Sequence, residues 1–113
     1  MAKKKHTTIN LETDMRFLED CLFVISGKWK IKILLALICG KRRYREIATA
    51  IPNINFRMLS KELKQLEINK LITRTISFDN VITYEITEYA YSLSPMIESM
   101  ISWAKDHREK IRD

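Results

Sequence analysis

The chain has 113 residues, 46% of them hydrophobic and 30% charged, with a net charge of +6. That length suits one domain with its own core, and the composition is that of a globular protein rather than a disordered or fibrous one. The longest apolar run, IKILLALIC, falls short of the roughly 18 apolar residues of a membrane helix, and two glycines leave no room for a glycine-rich phosphate loop.

The opening MAKKKHTTIN is basic and polar and lacks the apolar stretch of a secretory signal. A disordered basic tail over residues 1–10 is expected, then a single domain over 11–113, in a cytoplasmic protein. From Leu11 to Ile25, apolar residues including Phe17, Leu18, Cys21 and Leu22 recur at helical spacing, and Ser26-Gly27 ends the run. A second helix, apolar on most sides, is predicted over Lys28 to Cys39, with Trp29 at its start and Gly40 suited to a left-handed C-terminal cap. Cys21 and Cys39 lie among apolar residues without metal-ligand spacing, so buried reduced thiols are expected, with a redox switch as the alternative.

In KRRYREIATAI, the residues Tyr44, Ile47, Ala48 and Ile51 fall on one face of a short third helix, which Pro52 breaks. Asn55 is a good N-cap for the next helix, over about 55–68. Here Phe56, Leu59, Leu63 and Leu66 form a stripe expected to face the core, while Arg57, Lys61, Lys64 and Gln65 gather opposite. That polar face could be solvated or pressed against something negative. LITRTISFDNVITYEIT, rich in β-branched residues, predicts a hairpin over about 71–87. An odd loop, Asp79 to Val81, would put Ile72, Ile76 and Phe78 on the same face as Ile82, Tyr84 and Ile86, leaving threonines, a serine and Glu85 outside. A long helix over about 95–111 follows, with Pro95 in its first turn and Met96, Ile97, Met100, Ile101 and Ala104 as its apolar stripe.

Charge is unevenly spread. Residues 28–74 carry twelve basic and three acidic side chains, a balance of +9, whereas 1–27 balance at zero and 75–113 at −3. Such asymmetry favours a polyanionic partner. No catalytic arrangement accompanies it: His6 lies in the tail, His107 near a helix end, and neither has a ligand or triad partner at a diagnostic spacing, so neither an enzyme nor a metal or cofactor site is expected. Helix, turn, helix and hairpin inside a basic segment describe a winged helix-turn-helix, a mainly α fold with a small β-hairpin. In such a module one helix enters the major groove and flanking elements hold phosphates. The candidate DNA contacts are Asn55, Arg57, Ser60, Lys61, Lys64 and Gln65 on that helix, Lys41, Arg42 and Arg43 before it, and Arg74 and Asn80 on the hairpin. Lys61 and Lys64 are expected on phosphates, and Asn55, Arg57 and Ser60 on bases. A nonspecific nucleic-acid binder and an interaction module without DNA are the alternatives. The first lacks aromatic platforms on the outer hairpin face, and the second would not keep the basic residues.

Particular segments then resemble one family. ISGKWKIKILLAL resembles the GGKW motif that opens the second helix of HxlR-type regulators, bacterial winged-helix transcription factors related to the MarR group. GKRRYREI, IPNINFRMLSKELKQLEINKLITRT and YEITEYAYSLSPMIESMISWA resemble later motifs of that family in the right order, from about residue 16 to 105. The resemblance implies a homodimer on a roughly palindromic operator in double-stranded DNA, joined by its N- and C-terminal helices. Here the joining residues would be Phe17, Cys21, Leu22, Ile97, Met100, Ile101 and Trp103, unless Trp103 closes the monomer core instead. The chain departs from the family at Lys70 and Ala90, where glycine is typical, so altered turns are expected there, and at the hairpin tip, which lacks proline. Arg16 occupies the place of the sensor cysteine found in several relatives, so no sensing role is carried over. A thiol switch at Cys21 stays open as a separate idea, and the effector is unknown.

Overall fold

The computed structural model describes residues 8–112. Among them the order is α1 (Leu11–Ile25), α2 (Lys30–Ile38), α3 (Tyr44–Ala50), α4 (Phe56–Ile68), β1 (Ile72–Ile76), β2 (Ile82–Ile86), α5 (Glu88–Tyr91) and α6 (Ser94–Lys110). Most of the predicted 1–10 tail lies outside the described residues. Asn10, its last member, caps α1: its Oδ1 accepts the Thr13 N–H at 3.2 Å, and its own N–H donates to Asp14.

The core is built where α2, α3, α4 and the hairpin meet. Ile33 and Leu34 of α2, Ile47 of α3, Leu59 and Leu66 of α4 and Ile72 of β1 are fully buried. Each such side chain removed from water contributes about 1.5–3 kcal/mol, and together they fix α2 as the central rod. Two turns set the geometry. At the end of α2, Gly40 has φ +100°, and the N–H groups of Gly40 and Lys41 return to the carbonyls of Leu37 and Ala36. At the end of α4 the same pattern is made by Lys70 at φ +66°, with bonds from Lys70 to Glu67 and from Leu71 to Leu66. The turn expected to change where glycine is replaced is therefore kept, with a lysine in the left-handed region. Ala90 sits in the four-residue helix α5, an element too short to show a helical period in sequence, and needs no positive φ.

The hairpin is antiparallel, pairing Ile72 with Ile86, Arg74 with Tyr84 and Ile76 with Ile82. The connection is odd, as expected, but two residues out of the predicted register. Asn80 takes the left-handed position at φ +65°, which an asparagine tolerates and the β-branched Val81 does not. A two-residue shift keeps the faces. It does, however, move Phe78 from a paired core position to the tip, where it is fully exposed. The β2 backbone also holds the segment before α3, since the Tyr84 N–H donates to the Arg42 carbonyl at 2.8 Å.

The two terminal helices touch this body only in part, α1 near Val24 and α6 at Ile97. No residue of α1 is buried, and beyond Ile97 every described residue of α6 is exposed. The radius of gyration is 17.1 Å, where about 13 Å is usual for this length. The accessible surface is 9282 Å², against roughly 6,500 Å² for a compact chain of this mass. The fold leaves apolar helix faces uncovered.

Candidate nucleic-acid interface

Helix α4 begins where Asn55 Oδ1 accepts the Met58 N–H at 2.7 Å. That cap engages the Asn55 oxygen, leaving its amide nitrogen to meet a nucleic acid. Leu59, Glu62, Leu63 and Leu66 point inward, while Arg57, Ser60, Lys61, Lys64 and Gln65 are exposed. At about 100° per residue, Arg57, Lys61 and Lys64 fall within one narrow stripe. Phe56 does not face the core as expected. It is 56% exposed at the first turn, with its ring tilted against Tyr44 at 5.6 Å between centroids.

Two contacts fix the roll of α4. Inside, Lys30 Nζ of α2 lies 2.6 Å from Glu62 Oε1, with about nine-tenths of each side chain buried. Neither residue stands out in the charge pattern of the chain, since each reads there as one more surface charge. Near the surface, the Tyr44 hydroxyl lies 2.7 Å from the Phe56 carbonyl and 2.6 Å from Ser60 Oγ. A carbonyl can only accept, so the single phenolic proton goes to Phe56 and the Ser60 hydroxyl donates to Tyr44. Ser60 therefore presents an acceptor outward. The base contact expected of Ser60 is therefore one it makes as an acceptor, since donating would mean giving up Tyr44.

The segment before α3 adds cations along the side of the hairpin. Lys41, Arg42 and Arg43 are all exposed, and Arg42 Nη1 reaches Glu85 of β2 at 3.1 Å. Glu46 accepts the N–H groups of Arg42 and Arg43 at 3.0 Å each, which holds its carboxyl below the usual range, aided by the charges of Lys41 and Arg43. Arg45 is exposed beside them and was not singled out from sequence, where it read only as part of a charged run. Arg74 is exposed on β1 and Asn80 sits at the hairpin tip. The helix-turn-helix thus gathers most of the predicted cations onto α4 and the 41–43 segment, with Arg74 and Asn80 on the hairpin.

The predicted joining residues divide. Phe17, Leu22, Met100, Ile101 and Trp103 are exposed, and Cys21 is half-buried. Ile97 is 2% exposed and belongs to the monomer core, because the first turns of α6 dock on α2. Trp103 does not close that core: it is 66% exposed, its ring stacked on His107 at 4.8 Å. Phe23, 78% exposed, was passed over because it lies off the stripe read from sequence. Cys39 is exposed at the end of α2 rather than buried, and Cys21 is only partly covered. Trp29 packs on the core, flanked by the ammonium groups of Lys28 and Lys32 at 5.0 and 5.1 Å. No described helix is long and apolar enough to cross a membrane.

A helix-turn-helix with an antiparallel wing and a basic outer face on its second helix defines the class of winged helix-turn-helix transcriptional regulators. Residues 24–112 match the HxlR-like helix-turn-helix family. The chain is 35% identical to YtcD of Bacillus subtilis (strain 168), an uncharacterized HTH-type transcriptional regulator, over 98% of this chain and 83% of that one. The structure of the redox regulator HypR in its reduced form is similar, with a TM-score of 0.77 and 31% identity over 84% of this chain and 96% of HypR. So is a MarR-family regulator from Enterococcus faecalis V583, with a TM-score of 0.70 and 26% identity over 95% of this chain and 96% of that one. The chain belongs to the HxlR-like helix-turn-helix family, whose members are transcriptional regulators rather than enzymes.

Proposed function

We propose that this regulator acts as a homodimer that reads a roughly palindromic operator in double-stranded DNA, with α4 of each subunit in a major groove. The observation that carries the reading is the outward stripe of Arg57, Lys61 and Lys64 on a helix whose roll is fixed by Lys30–Glu62 and Tyr44–Ser60. Lys61 and Lys64 act as point charges on phosphates. Arg57, in the first turn of the helix, has the planar fork that guanine recognition uses. The Asn55 amide nitrogen, the Ser60 oxygen and Gln65 complete the base-facing set, while Lys41, Arg42, Arg43, Arg74 and Asn80 lie along the backbone. Cytoplasmic action goes with this role.

The dimer is supported by the apolar faces of α1 and α6. Phe17, Leu22, Met100 and Trp103 are 69%, 53%, 47% and 66% exposed. A monomer rarely shows water so many large apolar side chains along two helices. Cys21 and Ile101 would lie at the same contact, Ile97 beneath it in the core. Two α4 helices on successive grooves predict protected half-sites about 10–10.5 bp apart, or a multiple of that. A footprint on a selected duplex tests this, and a single unpaired protected half-site would contradict it.

A second reading is a regulator that responds to oxidants through Cys21. It rests on the half-buried thiol, which lines an apolar cleft of about 240 Å³ with Val24, Leu71 and Leu93, and on the likeness to HypR, described as a redox regulator. If peroxide or diamide leaves the DNA affinity of wild type and Cys21→Ser equally unchanged, this reading falls.

A further inference from the structure

The wing tip carries a feature that phosphate binding does not use. Phe78 stands fully exposed at the turn between β1 and β2, with Ile76 below it 53% exposed. The turn that presents it is tightly tied. The Ser77 N–H donates to the Val81 carbonyl at 2.9 Å, the Asn80 N–H to the Ser77 carbonyl at 2.9 Å, and the Val81 N–H to Ser77 Oγ at 3.1 Å. The Ser77 hydroxyl also donates to Asp79. These bonds fix the backbone from which the ring projects, so the turn itself need not be ordered on binding.

The surroundings identify the occupant. Asp79, next to Phe78, is turned back on Ser77, whose hydroxyl holds its carboxyl below the usual range, and the charge of Arg43 adds to the effect. The acidic group thus lies in the field of a cation, while the ring leads outward. Arg42 and Arg43 border the hairpin through the Tyr84–Arg42 backbone bond and the Arg42–Glu85 ion pair. Ile72, Tyr84 and Ile82 hold the paired part of the hairpin in or against the core, so the projecting part is the 77–81 turn; at about 3.3 Å per residue it carries Phe78 roughly 7 Å beyond Ile76. Beside a major groove filled by α4 lies a minor groove. Apolar side chains enter that groove as wedges between base steps and kink the duplex.

We infer that Phe78 is a minor-groove wedge: the wing tip presses its ring against a flexible base step flanking the bases read by α4. The inference rests on the proposed DNA role of α4. It assigns the tip a contact by shape and stacking, where no basic side chain occurs between Ser77 and Val81. Pyrimidine–purine steps, which unstack most easily, are the expected sites.

The test compares wild type with Phe78→Ala on a selected duplex carrying 2-aminopurine at the flanking steps and a dye pair at its ends. Loss of an exposed tip ring should leave the melting temperature unchanged. Affinity should fall by about 5- to 150-fold, the range for removing one aromatic–base stack. The rise in 2-aminopurine emission and the bend reported by energy transfer should both disappear, while the salt slope stays the same. Wild-type affinity and bend in Phe78→Ala would overturn the wedge and leave the role of α4 standing. A fall in oligomeric state with unchanged duplex affinity would assign the ring to a protein contact and overturn it too. Failure of the wild type to bind any duplex would remove the α4 reading, and this inference with it.

Discussion

Lys30 Nζ of α2 and Glu62 Oε1 of α4 meet at 2.6 Å, with side chains 10% and 11% exposed. The pair joins α2 to the inner face of α4, so it sets which side of α4 looks outward. Buried charges are tolerated only when matched, and removing one leaves the other desolvated. Lys30→Met or Glu62→Met alone should each lower stability by about 3–5 kcal/mol in urea denaturation, whereas the double change should recover most of the loss. Single variants within about 1 kcal/mol of wild type would show that the pair does not hold the helix.

The end of α4 offers a change of opposite sign. Lys70 occupies a left-handed conformation at φ +66° that costs a side-chain-bearing residue about 1–2 kcal/mol, less the entropy that glycine would lose on folding. Lys70→Gly should therefore stabilise by about 0.5–1 kcal/mol, read as a higher urea midpoint at constant slope, while Lys70→Val should destabilise.

The hydroxyl pair of Tyr44 and Ser60 should behave as a unit. Tyr44→Phe and Ser60→Ala should each cost about 1 kcal/mol, and the double variant clearly less than their sum, because the same hydrogen bond is lost in each. On duplex DNA, Ser60→Ala should weaken binding less than Lys61→Ala, since the serine proton is already committed to tyrosine. Equal losses would show that Ser60 donates to the duplex in spite of Tyr44.

The uncovered faces of α1 and α6 lead to a prediction of assembly. Phe17→Glu combined with Trp103→Glu should give a folded monomer in sedimentation velocity with weakened operator affinity, because both side chains are exposed in the isolated chain. Persistence of the dimer would place its interface elsewhere.

Much of this was legible in the sequence because it rests on local rules. The α1 boundaries, the Asn55 cap, the proline-broken turn and the odd hairpin loop each follow from residue type and spacing, and the order of elements followed from them. What sequence missed depends on geometry between elements. Glu62 reads as one more surface charge until α2 brings Lys30 against it, and Ser60 reads as an available donor until its hydroxyl is seen donating to Tyr44. Phe78 alternates correctly with Ile76 and was assigned to the core, yet the left-handed residue had to be Asn80, and that choice put the ring at the tip. Ile97 lies on the same stripe as Met100 and Ile101, and only the docking of α6 on α2 separates it from them.

Under the proposed function, α4 reads sequence while its lysines hold phosphates. Equilibrium binding of wild type, Arg57→Ala and the Lys61→Ala/Lys64→Ala pair to a selected duplex and a scrambled one, across about 50–200 mM salt, tests it most directly. Wild type should prefer the selected duplex by at least about a thousandfold. The lysine pair should weaken binding to both duplexes alike and flatten the salt slope by about two, and Arg57→Ala should shrink the preference by about 1–3 kcal/mol. Equal wild-type affinity for the two duplexes would contradict the account.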